Sequence, residues 1–243
     1  MDTKMKKTSR VLAASLIVGA LFLTACSSQR PLHILKRDGD AALKGGDYAK
    51  AQADYGEYVR RKPETHQLRY DLAKAYMADG KPRTAIEQLT VALDVSPLND
   101  EYLDALSQAK YDANERDALT TLLRRNASER GRISDFTRLG QYSARLGNVD
   151  EAKESLLTAA KLDGGKSTGP QLALADFYAS VGDKKTQTRR LRMAYFIAPA
   201  NPEVVKKLMA LGETPAPGFG LKPEEYMLPE YLPAKMSPTA PKK

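Results

Sequence analysis

The chain has 243 residues, a formal net charge of +8, one cysteine and two histidines. Apolar residues make up 42% of it, which is enough to form a core and excludes a wholly disordered chain. The single cysteine excludes an internal disulfide and any zinc or iron–sulfur site built from cysteines. The positive charge indicates an acidic partner, nucleic acid or anionic lipid, unless segments outside the folded domain carry it.

The chain opens with a basic segment and a short apolar run. Four Lys or Arg side chains precede VLAASLIVGALFL at residues 11–23. Such a run forms a helix of about 20 Å, which is shorter than the roughly 30 Å of a bilayer core. The pattern is therefore typical of a secretory signal rather than of a permanent membrane span. Residues 1–25 carry four Lys/Arg and one Asp, a net +3, which leaves +5 for residues 26–243.

The apolar run ends in Leu-Thr-Ala-Cys at residues 23–26. This tetrapeptide resembles the lipobox of bacterial lipoproteins, in which the cysteine is acylated and becomes the first mature residue. The resemblance implies that Cys26 is the lipid attachment site, that residues 1–25 are a signal peptide and that residues 26–31 are a lipidated tether. Ser27 is not the aspartate that marks inner-membrane retention in enteric bacteria, which favours the outer membrane. The alternative is an ordinary signal peptide with an incidental cysteine.

Residue types recur every 34 positions in the middle of the chain. The pairs in this register are Gly46 and Gly80, Ala51 and Ala85, and Pro63 and Pro97. They resemble the tetratricopeptide repeat, which places small residues where two antiparallel helices meet, a turn between the helices and a proline after the second one. Apolar residues before and after Gly80 recur at helical spacing, which supports a helix on each side of the turn.

We therefore predict an all-α chain, an α-solenoid of about five tetratricopeptide-like hairpins over residues 32–211. The units are residues 32–65, 66–99, 100–133, 134–167 and 168–201, followed by a capping helix at residues 203–211. The third unit is degenerate, because Leu119 stands at its central contact and it lacks the closing proline.

Residues 212–243 contain seven of the fourteen prolines. This density excludes regular helix and sheet and favours an extended, polyproline-like tail. Apolar side chains are nevertheless frequent in residues 219–232. Two interpretations remain open: a solvated tail, or a segment that docks in a groove of this chain or of a partner.

The sequence offers no candidate catalytic residue, metal site or cofactor site. It contains no phosphate-binding loop, dinucleotide fingerprint, nucleophile elbow or zinc-protease motif. His33 and His66 stand near expected helix starts without partners for catalysis or metal binding. The carboxylates Glu224 and Glu225 lie in the tail, where we expect no burial to raise a pKa. The chain is predicted not to be an enzyme and to take no small-molecule substrate.

Basic clusters are expected late in the second helices of three units. They are Arg60-Arg61-Lys62, Arg124-Arg125 and Arg189-Arg190-Arg192. Cations near a helix C-terminus are stabilised by the helix dipole, which explains them without a nucleic-acid partner. The remaining +5 is spread over the repeats, so nucleic-acid binding is not favoured.

In the tetratricopeptide family the first helix of each unit lines an inner groove. Transferred to this sequence, the groove positions are Lys36, Asp40, Lys44, Tyr70, Lys74, Met77, Asp104, Gln108, Tyr111, Gln141, Arg145 and Asp176. This mixed polar and aromatic set suits an extended peptide or a helix of a partner protein. Asp40 stands where the carboxylate clamp of chaperone-binding members needs asparagine. The alternative for each position is a solvated helix face.

Together these features predict a non-enzymatic protein–protein interaction scaffold, lipid-anchored on the periplasmic side of a bacterial membrane, with an envelope protein bound through the groove. Its layout is similar to that of the pilotin-type and Tad-type repeat lipoproteins that assist envelope assembly. Two alternatives stay open: an accessory or regulatory subunit of a cell-wall enzyme, and a protein that contacts lipid through a basic surface.

Overall fold

The computed structural model of the protein describes residues 29–227, and the regular structure in that part is all helical. The helices are α1 (Leu32–Lys44), α2 (Tyr48–Arg61), α3 (His66–Ala78), α4 (Pro82–Val95), α5 (Asp100–Asp112), α6 (Arg116–Arg130), α7 (Ile133–Arg145), α8 (Val149–Asp163), α9 (Gly169–Ser180), α10 (Lys184–Ile197) and α11 (Pro202–Ala210), and a 3₁₀ turn follows at Glu224–Met227. Helices α1 to α10 pair as five antiparallel hairpins, which confirms the predicted all-α hairpin-repeat fold.

The described residues form two compact units that divide between Pro97 and Leu98. The first holds two hairpins, and the second holds three hairpins, α11 and part of the tail. Cys26 and the apolar run at residues 11–23 lie outside the described residues, so the bounds of the signal, tether, repeat domain and tail stay predictions. No helix within residues 29–227 combines the length and apolar character that crossing a bilayer requires.

The hairpins of the first unit turn at glycines with positive φ. Gly46 has φ +79° and Gly80 has φ +69°, in the left-handed region that favours glycine. Asp47 caps α2 by accepting a 3.1 Å hydrogen bond from the amide of Lys50, and Pro82 begins α4. Helix α4 ends at Val95, two residues before Pro97, as the 34-residue register predicts.

A small residue lets α1 and α2 approach closely in the first unit. A Cβ at Gly39 would lie 2.7 Å from Cε1 of Tyr55, so only glycine leaves room for this ring. The Tyr55 side chain is buried, and its hydroxyl donates a 2.8 Å hydrogen bond to Asp40. Burial of the side chain is the larger cause, and this hydrogen bond the second, that raise the pKa of Tyr55 far above its ordinary value.

The third hairpin departs from the repeat pattern as the sequence predicts. Leu119 is fully buried at the position where the first, second and fourth units have alanine. Asn114 has φ +60° in the turn between α5 and α6, one period after Gly80, since asparagine tolerates the left-handed region better than most residues. Gly131, with φ +63°, ends α6 where a closing proline is missing.

The second unit ends in the predicted capping helix. The buried side chains of Val204 and Leu208 on α11 pack against Leu191 and Ala194 of α10. Asn201 caps α11 by accepting hydrogen bonds from the amides of residues 203 and 204. Helix α11 therefore covers an apolar face that α10 would otherwise expose to water.

The described part of the tail docks on its own chain. The amide of Leu221 donates to the carbonyl of Arg192 at 3.0 Å, and Nε of Arg192 donates to the carbonyl of Phe219 at 2.9 Å. The Phe219 ring packs edge-on against Tyr195. A Cβ at Gly220 would lie 2.9 Å from the Cα atom of Phe196, so the tail backbone lies directly on α10.

Two expectations about charged residues are wrong. Glu225 is buried, because its carboxylate pairs with the equally buried guanidinium of Arg190. Arg190 lies in the middle of α10 and Arg124 in the middle of α6, so neither stands at a helix C-terminus. Arg124 instead forms an ion pair with Glu151 at 2.5 Å. The dipole account holds for Arg60 and Arg61, which occupy the last turn of α2.

Candidate functional site

A groove opens between the first helices of the three hairpins in the second unit. Its volume is about 440 Å³, within the range of ligand-binding clefts. It is lined by Asp104 of α5, by Arg138, Gln141, Tyr142, Ala144 and Arg145 of α7, by Leu156 of α8, and by Ala173, Asp176, Phe177 and Ser180 of α9. Gln141, Arg145, Asp104 and Asp176 are groove positions that the sequence predicts, and the structure brings them to one cavity.

The floor of the groove is apolar. Leu156, Ala173 and Phe177 are each buried and belong to one cluster of the core. Leu156 reaches this position because α7 carries glycine at residue 140, where a Cβ would lie 2.5 Å from Cγ of Leu156. The helices α7 and α8 can therefore touch, and the floor offers an apolar surface at the base of a polar rim.

One wall is an aromatic stack around Arg145. Its guanidinium carbon lies 3.9 Å from the ring centroid of Tyr111 and 4.9 Å from that of Tyr142. Oε1 of Gln108 accepts hydrogen bonds from Nη1 of Arg145 at 3.0 Å and from the Tyr142 hydroxyl at 3.2 Å. Burial raises the pKa of Tyr142, although the charge of Arg145 opposes the effect. These contacts hold Arg145 in one orientation at the groove.

Arg145 differs from the other cations near the groove in its charge balance. Within residues 29–227 it forms no ion pair with a carboxylate. By contrast, Arg138 is bonded to Asp104 at 2.5 Å, and Lys207 is bonded to Asp176. The Arg145 wall therefore presents a positive charge that is held in place but not neutralised, which favours an acidic group of a ligand.

The other end of α7 is fixed by a network of three arginines and three aspartates. Asp135 is fully buried and accepts hydrogen bonds from Arg138 at 3.2 Å and from Arg132 at 3.0 Å. Arg130, Arg132 and Arg138 each also form an ion pair with Asp100 at the start of α5. The network joins α5 of the third hairpin, which lacks the closing proline, to α7 of the fourth, and it positions Arg138 in the groove wall.

A second cavity of about 530 Å³ continues from the groove toward the starts of α7 and α9. It shares Asp104, Arg138 and Gln141 with the first cavity and adds Ile133, Ser134, Thr137, Ser167, Gly169 and Pro170. The Gly-rich turn before α9, at residues 164–169, lies here and connects two hairpins, with Ser167 bonded to the buried carboxylate of Asp163. Hydroxyl groups in this cavity provide hydrogen-bonding positions beside the apolar floor.

The predicted groove residues of the first unit are mostly engaged with one another. Lys36 donates a 2.7 Å hydrogen bond to Asp40, which raises the pKa of Lys36 despite partial burial. Lys74 pairs with Asp71 at 3.3 Å and lies over the ring of Tyr70. Asp40 also accepts from Tyr55, so its carboxylate is committed and does not replace the asparagine of a carboxylate clamp. Lys44 is exposed at the end of α1, and Met77 is half-buried.

Seven of the eleven lining residues were not predicted from the sequence, among them the buried side chains of Arg138, Tyr142 and Phe177. These three were not among the transferred positions because each also contributes to burial between helices. The helical spacing of Arg138, Gln141, Tyr142 and Arg145 is the signal that could have found the two residues on α7, since these four residues share one side of that helix. Within the part of the chain that the structure describes, no group of histidine, cysteine, aspartate and glutamate side chains could hold a metal ion.

The paired helices and the groove along their first members define a class of protein, the α-helical hairpin-repeat proteins. Two segments identify the repeat more closely: residues 37–100 and 136–165 each match a model of the tetratricopeptide repeat. Residues 37–100 and 136–165 are therefore assigned to tetratricopeptide repeats, as the 34-residue register indicates.

Solved structures of the same fold include a MamA protein, at 20% identity and a TM-score of 0.51, over 74% of this chain and 94% of that one. TTC0263, a thermophilic TPR protein of Thermus thermophilus, aligns at 19% identity and a TM-score of 0.53, over 74% of this chain and 98% of that one. MamA 41-end from Desulfovibrio magneticus RS-1 aligns at 13% identity and a TM-score of 0.52, over 70% and 97%. At these identities the likeness concerns the fold alone. No curated protein matches the chain.

Proposed function

We propose that this protein is a non-enzymatic scaffold of the bacterial envelope. In this proposal lipid on Cys26 holds it on the periplasmic side of the outer membrane, and the groove of the second unit binds a segment of an envelope protein. The groove is the observation that carries the binding half, because an apolar floor lies beside a fixed, unneutralised arginine. The anchoring half is supported by the sequence at residues 23–26.

The composition of the groove favours a protein segment as ligand. Tyrosine and arginine at the centre of a patch, with charged residues at its rim, are typical of protein interfaces. The floor of Leu156, Ala173 and Phe177 suits one or more apolar side chains of the partner. Arg145 suits an acidic side chain beside them. The proposed ligand is therefore a helix or extended segment that combines an apolar anchor with a carboxylate.

Cross-linking in cells tests the binding half. Envelope proteins linked to the full-length protein are identified by mass spectrometry, and the chain with Arg145→Ala is compared with wild type. Arg125→Ala is the matched control, because Arg125 is exposed on α6 and outside the groove lining. The proposal expects Arg145→Ala to lose a partner that wild type and the control retain. Equal recovery with all three proteins would contradict it.

Labelling with fatty acid tests the anchoring half. The proposal expects label in the wild-type protein and membrane fractionation of the protein. Cys26→Ala is expected to remove the label and to release the protein from the membrane fraction. Label that persists in Cys26→Ala, or unchanged fractionation, would show that Cys26 is not the anchor.

A further inference from the structure

We propose that Arg30 clamps the lipid-bearing end of the chain to the first hairpin, so that the C-terminal end of α2 faces the anionic phospholipid surface around the anchor. The inference rests on the proposed function, since it takes acylated Cys26 as the point of attachment. It adds an orientation: a defined end of the first unit, rather than any of its surfaces, contacts lipid head groups.

The contacts of Arg30 carry the first step. Its guanidinium forms an ion pair with Asp54 of α2 and lies 3.7 Å from a carboxylate oxygen of Glu57, one turn further along the same helix. Arg61, in the last turn of α2, donates a 2.6 Å hydrogen bond to the carbonyl of Arg30. Side chain and backbone of residue 30 are thus both held by the last two turns of α2.

The buried carboxylate of Asp54 explains why residue 30 is held at this position. The carboxylate is buried, at 2% exposure, and its Oδ2 atom has no hydrogen-bond partner among the described residues. Arg30 supplies the charge that balances it. Because a buried carboxylate without a cation is unfavourable, folding of the first hairpin draws residue 30 to this position.

The short connection to Cys26 carries the second step. Four residue steps separate Cys26 from Arg30, and each spans at most about 3.6 Å, so the two Cα atoms lie within about 14 Å of each other. With residue 30 clamped, an acylated Cys26 would hold the end of α2 close to the head groups. The surface potential of an anionic membrane falls off over a Debye length of about 8–10 Å, which is shorter than the fully extended connection, so a tether that is not fully extended brings the end of α2 into its range.

The charges at this end of α2 fit such a surface. Arg60 and Lys62 are exposed, and neither forms an ion pair within the part of the chain that the structure describes. Arg61 lies between them and is engaged with Glu57 and Arg30. Two exposed cations thus stand beside the clamped tether. Cations next to an acyl anchor supply the second attraction that stable membrane binding needs.

The two ends of α2 provide an internal comparison. Lys62 follows the clamped end, and Lys50 is exposed in the first turn, about 18 Å away along the helix.

The acylated chain is reconstituted into vesicles of phosphatidylglycerol and phosphatidylcholine and treated with a water-soluble amine-acetylating reagent. Mass spectrometry then gives the labelling of each lysine. We expect several-fold lower labelling of Lys62 on vesicles than in detergent, no change at Lys50, and a smaller effect with phosphatidylcholine alone.

Equal labelling of Lys62 and Lys50 on the vesicles would overturn the orientation. The role of the Arg30 side chain is tested with R30Q/D54N, which removes its ion pair with Asp54 without leaving a buried charge unpaired. The control is R37Q on the exposed face of α1. We expect protection of Lys62 to be lost in R30Q/D54N and kept in R37Q. Protection that persists in the folded double variant would overturn the role of the ion pair between Arg30 and Asp54. If this variant does not fold, the wild-type comparison still decides the orientation.

The mass of the N-terminal peptide separates this inference from the proposed function. An unmodified Cys26 in protein purified from bacterial membranes overturns the lipid anchor, and the inference with it. A modified Cys26 together with uniform lysine labelling overturns only the inference and leaves the anchor in place.

Discussion

Oε1 of Glu225 accepts a 2.6 Å hydrogen bond from Nη1 of Arg190, and both side chains are buried. Gln171 of α9 completes the contact, because its amide nitrogen donates to Oε2 of Glu225 at 3.0 Å and its oxygen accepts from Arg190 at 3.1 Å. One residue of the tail thereby satisfies polar groups of two helices. The tail up to Glu225 is consequently part of the folded second unit.

Glu225→Gln should release the tail from α10. The substitution leaves the buried guanidinium of Arg190 without its carboxylate, and we expect a loss of about 1–3 kcal/mol in docking free energy. Hydrogen exchange at the amide of Leu221, which donates to the carbonyl of Arg192, reports undocking directly. The matched control is Glu224→Gln, since Glu224 is exposed. Unchanged protection of Leu221 in Glu225→Gln would contradict the account.

Acid should release the tail through the same pair. Burial raises the pKa of Glu225, but the hydrogen bonds from Arg190 and Gln171 outweigh burial and leave it below the ordinary value of 4.5. A lowered folded pKa contributes stability that is present above the unfolded pKa and lost as pH falls through the folded pKa. Exchange at Leu221, measured by pulse labelling, should stay slow at neutral pH and accelerate below about pH 4.5. Glu225→Gln should abolish this pH dependence.

Asp135→Asn should destabilise the second unit. Asp135 is fully buried and balances Arg138, which is also buried. Removal of the carboxylate leaves Arg138 with only the exposed carboxylates of Asp100 and Asp104, so we expect a cost of up to about 3–5 kcal/mol in the free energy of unfolding. Asp104→Asn is the control, because Asp104 is exposed and its pairing with Arg138 is worth less than about 1 kcal/mol. Denaturant unfolding gives the free energy of unfolding of both variants. Equal losses in Asp135→Asn and Asp104→Asn would contradict the claim that the buried carboxylate contributes more than the exposed one.

Substitution by alanine should change the stability of the protein in opposite directions at two helical glycines. A Cβ at Gly140 would lie 2.5 Å from Cγ of Leu156, so Gly140→Ala should cost about 1–3 kcal/mol through overpacking of α7 against α8. A Cβ at Gly56 on α2 would meet nothing within 4 Å. Gly56→Ala should therefore stabilise by about 0.5–1 kcal/mol through helix propensity. Thermal unfolding of each variant against wild type gives the two signs.

The fold was predictable because hairpin repeats are governed by local signals. Glycine at residues 46 and 80 gives the turns, Pro97 follows the end of α4, and apolar spacing gives the helices between them. The same 34-residue register also reaches Asn114, whose positive φ the sequence interpretation did not anticipate. Asparagine in the left-handed region replaces glycine without a change of period.

The buried ion pairs were less predictable, because they depend on contacts between segments that share no period. Arg190 and Glu225 are 35 residues apart, and one of them lies in a proline-rich segment without helical spacing. The helix-dipole argument considers only the helix that carries Arg190, so it could not predict the ion pair with Glu225. Of the groove, the exposed positions Gln141 and Arg145 were predicted from the repeat register, whereas Arg138 was not, since its burial depends on Asp135 and Asp100.

Site-specific photo-cross-linking from the groove tests the scaffold proposal most directly. A photoreactive amino acid replaces exposed Gln141 in the groove or, as control, exposed Lys153 on α8 outside its lining, in the full-length protein in living cells. The account predicts one discrete adduct with an envelope protein from residue 141, its loss when Arg145→Ala is added, and none from residue 153. The same adducts from both positions, or no adduct from residue 141, would contradict a partner bound in the groove.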